Sequence, residues 1–114
     1  MQNNKTISLL FIDCLQIKWI KILIIIEKIS EYYKIDAIIL FGSYAKGTEN
    51  ADSDIDIAII SSDFSDIIDD GAKLIELTWK IATRIEPHPI STEDFEKVSN
   101  LFAKEVIDTG IKVA

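Results

Sequence analysis

Apolar and polar positions alternate along this chain in runs of clearly different period. From Leu15 to Tyr33 apolar residues cover most of a helical circumference, with Lys18, Lys21 and Lys28 on one narrow polar stripe. A helix this apolar is either sandwiched within its own domain or shared with another protein. Ala37-Ile38-Ile39-Leu40-Phe41 is an unbroken apolar run ending at Gly42, the pattern of a buried strand. Gly42 to Ser53 predicts a loop, with one helical turn near Tyr44 to Lys46. Asp54 to Ile60 sets Asp54, Asp56 and Ala58 against Ile55, Ile57 and Ile59, which predicts a strand with one polar and one buried face. Ile68, Ala72, Ile75, Trp79 and Ala82 recur at the spacing of an amphipathic helix. Arg84-Ile85-Glu86 predicts a brief third strand, stopped by Pro87 and Pro89. Ser91 or Thr92 caps a last helix with Glu93 and Asp94 in its first turn, which continues to Asp108 and ends at Gly110.

The expected fold class is therefore α/β (α+β): a small mixed sheet of about three strands backed by helices. Gly42 leaves the end of the first strand, while Asp54 opens the second. If both serve one site, those ends are neighbours and the two strands run antiparallel. The helical crossover after Ile60 permits a parallel return. The 114 residues are read as a single domain, with residues 1–13 an N-terminal extension that the pattern assigns to no element.

Composition narrows the setting. Nearly half of the residues are apolar (48%), enough for a core without disulfides. The lone Cys14 cannot form an internal bridge and sits in an apolar segment without a nearby histidine, which fits a reducing cytoplasm and no thiol chemistry. Ile22 to Ile26 is bracketed by Lys18, Lys21, Glu27 and Lys28, far short of the roughly 18 apolar residues of a membrane span. The N-terminus lacks a signal-peptide cleavage pattern, so a cytoplasmic location is expected. A net charge of −7 argues against direct nucleic-acid binding. It also means that any bound nucleotide needs cations or a locally positive loop to offset repulsion.

Asp54-Ile55-Asp56 carries the most specific chemistry. Side chains two apart on a strand share a face, with Cα atoms about 6.6–6.8 Å apart. Two carboxylates so placed can share one divalent cation or clamp two of them about 3.5–4 Å apart. Alone, the pattern also fits the solvent face of an edge strand. Gly42-Ser43 supplies a companion: glycine allows a sharp turn and close approach of a phosphate, and Ser43 can offer its hydroxyl and free backbone N–H groups to an anion. Lys46 in the same loop either adds positive charge beside a phosphate or points to water.

The stretch Phe41-Gly42-Ser43-Tyr44-Ala45-Lys46-Gly47-Thr48 through Ser53-Asp54-Ile55-Asp56 resembles the polymerase-β-type nucleotidyltransferase superfamily, in particular its minimal (MNT) members. The resemblance is most specific over residues 37–60. It implies that Gly42 and Ser43 hold nucleotide phosphates, with Lys46 where relatives commonly carry arginine. It implies that Asp54 and Asp56 bind two Mg²⁺ ions, that ATP is the donor, and that a third carboxylate lies on the later strand. Glu86 is the match for that carboxylate; Asp63, Asp69 and Asp70 suit it less because loop or helix placement aims them elsewhere. Larger family members carry a second helical domain for which this length leaves no room, so the acceptor grip is expected from a partner, from a homo- or hetero-oligomer, or from the loops. The minimal members commonly serve as antitoxins that transfer AMP to a tyrosine of a HEPN-type RNase toxin. Rival expectations are an aminoglycoside-type small-molecule transferase and a non-catalytic antitoxin that acts by binding. His88, between two prolines and beside Glu86, is placed either in a turn, the preferred reading, or in contact with substrate, and Trp19 and Trp79 read as core or interface.

Overall fold

A computed structural model of the chain describes residues 19–42, 45, 47, 54–82, 84–98 and 100–113. Helix α1 covers residues 19–30 and turns Ile22, Ile25 and Ile29 inward at three- and four-residue spacing. The earlier part of the expected helix, from Leu15, lies outside the described residues. Strand β1 (Ala37–Phe41) pairs antiparallel with β2 (Ile55–Ser61), in a register that sets Leu40 opposite Ile57 and Phe41 opposite Asp56. Helix α2 (Ile67–Trp79) starts where the Asp66 side chain accepts hydrogen bonds from the N–H groups of Ile68 and Asp69. It returns the chain to β3 (Ile85–Ser91), parallel to β2. Helices α3 (Thr92–Lys97) and α4 (Leu101–Thr109) follow, and β4 (Ile111–Lys112) closes against β1. Among the described residues the sheet order is β3-β2-β1-β4. The fold is α+β, a mixed sheet between helices, with β1 and β2 antiparallel and β3 parallel as expected.

Each face of the sheet carries its own core. Ile38, Ile57, Ile59 and Ile85 pack beneath α1 and α2 with Ile25, Ile29 and Leu74. Ile39, Phe41, Ala58, Ile60 and Ile90 pack on the opposite face with Val106 of α4. The continuous apolar run of β1 and the almost wholly buried β2 follow from burial on both faces. Ser61, buried at the end of β2, donates from its hydroxyl to Lys34 O (2.6 Å) and accepts from Asp63 N–H (3.1 Å). That pairing satisfies the one polar side chain at the floor of the sheet.

Four expectations are corrected. β3 does not stop at Pro87 but runs seven residues through both prolines. Ile55 N–H donates to Arg84 O (2.7 Å), so residues 84, 86, 88 and 90 turn their backbone groups toward β2. Pro87 and Pro89 then face the open edge, where a missing N–H breaks no ladder bond. The last helix is two helices, separated by Val98 in the left-handed region (φ 49°) and restarted by Asn100, whose side chain caps Ala103 N–H. A fourth strand follows Gly110. Finally, α2 is rotated relative to the expected stripe: Leu74, Leu77 and Thr78 are buried, while Ile68, Ile75 and Trp79 are exposed. Among the described residues, no helix is long and apolar enough to cross a membrane.

Candidate active site

The sheet brings three acids to one place. Asp54 stands just before β2 and Asp56 one position into it, while the parallel register sets Glu86 of β3 opposite Asp56. Residues 54 and 56 share a face by strand alternation, and pairing with Glu86 extends that face onto the neighbouring strand. Below them on the same face lie Ala58 and Ile60, so the carboxylates form the polar end of an otherwise apolar surface. The Glu86 carboxyl is pushed up to about 7, first by burial and then by hydrogen bonds to and repulsion from Asp54 and Asp56. Crowded carboxylates of this kind are relieved either by shared protons or by cations.

Gly42 completes the corner. It follows β1 directly and adopts φ +74°. A Cβ built there would approach Asp56 Oδ2 to 2.5 Å, so the glycine both makes the turn and leaves space over the acid. Ser43, Tyr44 and Lys46, the rest of the expected phosphate loop, lie outside the described residues.

His88 was assigned to a turn, but it sits within β3, two residues from Glu86 and on the same face. Its Nε2 lies 3.1 Å from Asp56 Oδ1 and 3.8 Å from Glu86 Oε2. The ring packs edge-on to Phe41, with centroids 5.2 Å apart, and against Phe102 at 5.5 Å. The flanking prolines suggested a turn; the signal that could have placed it was its even spacing from Glu86. Asp56, Glu86 and His88 each present one ligand atom, all within 4.8 Å of one another. These donors suit a divalent cation.

The other acids weighed against Glu86 have local duties. Asp63 accepts Lys34 N–H at 2.7 Å, while Asp70 accepts from Ser65 N–H, Asp66 N–H and the Tyr33 hydroxyl. Asp69 lies in the first turn of α2. Beside Glu86 and His88 a cleft of about 390 Å³ opens between α2 and the edge of β3, walled by Ile75, Trp79, Pro87 and Pro89.

Comparison with known proteins gives concordant results. The family described as "Polymerase beta, Nucleotidyltransferase" matches residues 24–114. The protein adenylyltransferase MntA of Shewanella oneidensis is 34% identical over 77 residues, covering 68% of this chain and 52% of that protein. The chain thus spans about half the length of the curated relative it matches. Among solved structures, one described as a toxin-antitoxin with AMP-PNP superposes with a TM-score of 0.57 at 27% identity, covering 81% of this chain and 68% of its own. A candidate nucleotidyltransferase from Sulfolobus solfataricus gives the same TM-score at 16% identity over 84% and 77% of the two chains, a likeness of fold.

Proposed function

Because the chain belongs to the polymerase β nucleotidyltransferase family, we propose that it transfers AMP from ATP to a tyrosine hydroxyl of a partner protein. The observation that carries this reading is the convergence of Asp54, Asp56 and Glu86 on one sheet face beside the Gly42 turn. In it, Asp54, Asp56 and Glu86 hold Mg²⁺, and Gly42 with Ser43 and Lys46 receives the triphosphate. The cation, when bound, offsets phosphate and carboxylate charge and stabilises the departing pyrophosphate. The acceptor oxygen forms a bond to the α-phosphorus, and the bond from that phosphorus to the pyrophosphate oxygen breaks. The hydroxyl proton passes to a carboxylate oxygen of Glu86. Positioning and electrostatics carry such a transfer, so the residues need to be rigid more than reactive. Strand placement supplies that rigidity.

The cleft between α2 and the edge of β3 offers an apolar docking place for a partner side chain, on the sheet face opposite the acids. Its walls of Ile75, Trp79, Pro87 and Pro89 are apolar, and Glu86 and His88 border it. A macromolecular partner is supported by the apolar residues left exposed on α1, including Trp19, Ile20 and Leu23. The likeness to a solved toxin-antitoxin structure supports a toxin as that partner, and on this reading that toxin is a HEPN-type RNase.

The test incubates the protein with ATP labelled on the α-phosphate, Mg²⁺, and the protein encoded beside it. Label on a partner tyrosine, lost with Asp56→Asn, is the expected result. Label on an aminoglycoside instead would reassign the acceptor. Neutralisation of the partner that Asp56→Asn leaves intact, without label, would replace catalysis by occlusion.

A further inference from the structure

His88 is the chain's only histidine, and neither the turn reading nor the three-acid site gives it a task. An octahedral cation with bonds of about 2.0–2.2 Å requires adjacent donors about 3 Å apart and opposite donors about 4.2 Å apart. His88 Nε2 stands 3.1 Å from Asp56 Oδ1, the spacing of adjacent donors, and 3.8 Å from Glu86 Oε2, between the adjacent and opposite spacings. Phe41 and Phe102 pack against the ring in one three-ring cluster, which restricts its orientation while Nε2 meets the acids. A hydrogen bond to Asp56 alone would not need the second carboxylate at a ligand's distance.

The geometry points to a mixed nitrogen–oxygen metal centre in which His88 Nε2 binds the cation directly with Asp56 and Glu86, giving a preference for Mn²⁺ over Mg²⁺. This rests on the reading that the acids hold a divalent cation at all. The preference follows from donor chemistry. Mg²⁺ keeps oxygen ligands and water, whereas imidazole nitrogen suits borderline first-row ions, to which carboxylates also bind. A centre of three acids alone would show a smaller bias.

Since the histidine is unique, the test needs no substitution. The protein is prepared without a histidine tag, once with natural histidine and once with ring-¹⁵N histidine. Mn²⁺ is added and the nitrogen couplings to the bound ion are read by pulsed electron paramagnetic resonance. A directly bound ¹⁴N coupling, replaced by ¹⁵N in the labelled sample, is expected. His88→Ala should reduce the Mn²⁺ to Mg²⁺ preference on the order of tenfold in binding titrations. Mn²⁺ held in an Asp56-dependent site with no isotope-sensitive nitrogen would overturn the inference while leaving the proposed function standing. Failure of both Mn²⁺ and Mg²⁺ to bind in any way that Asp56→Asn abolishes would overturn both.

Discussion

At the scale of single residues, the corner between Gly42 and Asp56 is the most constrained point. Gly42 has φ +74°, and any Cβ there would strike the Asp56 carboxylate. Gly42→Ala is expected to cost about 1–2 kcal/mol through left-handed strain. It should also weaken Mn²⁺ or Mg²⁺ binding by displacing Asp56; chemical denaturation and metal titration measure the two effects separately. Glu86 gives the clearest pH signature. Its carboxyl is raised from 4.5 to about 7, so the folded chain holds a proton that the unfolded chain has released. The Glu86 contribution to stability without cations is then full below 4.5 and is lost as pH rises through about 7. Denaturation midpoints recorded near pH 5 and near pH 8 should show that loss, and Glu86→Gln should flatten it. Asp54, Asp56 and Gly42 were legible from alternation and turn chemistry. Glu86 was legible only through family resemblance, because a lone glutamate before a proline carries no pattern of its own. His88 was misread since its position depends on strand pairing, which the local sequence does not encode.

At the scale of elements, β1 and β2 were readable because two-sided burial and strict alternation each leave a strong period. The local pattern ends β3 at Pro87, since proline usually stops a strand. Prolines at alternate positions of an edge strand lose only outward-facing hydrogen bonds, and the same feature hinders another strand from adding there. The face of α2 was misjudged for a different reason. Its apolar residues occupy more than one stripe, and the choice among stripes is made by packing against β2 and β3. The break between α3 and α4 was also hidden, since Val98 is β-branched and an unexpected residue for the left-handed region (φ 49°). Val98 is exposed, so replacing it costs little burial. Val98→Asn is expected to stabilise the fold by about 0.5–1 kcal/mol. Thermal or chemical denaturation checks this, with cation affinity unchanged.

At the scale of the whole molecule, the decisive fact is electrostatic. A chain of net charge −7 brings Asp54, Asp56 and Glu86 together, and on the proposed reading their repulsion toward a triphosphate is relieved by cations once their protons are released. ATP and metal must therefore bind cooperatively, and removing one strand acid should uncouple them. Isothermal titration of ATP into the protein, with and without Mg²⁺ or Mn²⁺, tests this directly. The expected result is saturable ATP binding that requires the divalent cation and is lost in a folded Asp56→Asn variant. ATP binding of equal affinity without the cation, or unchanged by Asp56→Asn, would contradict the account.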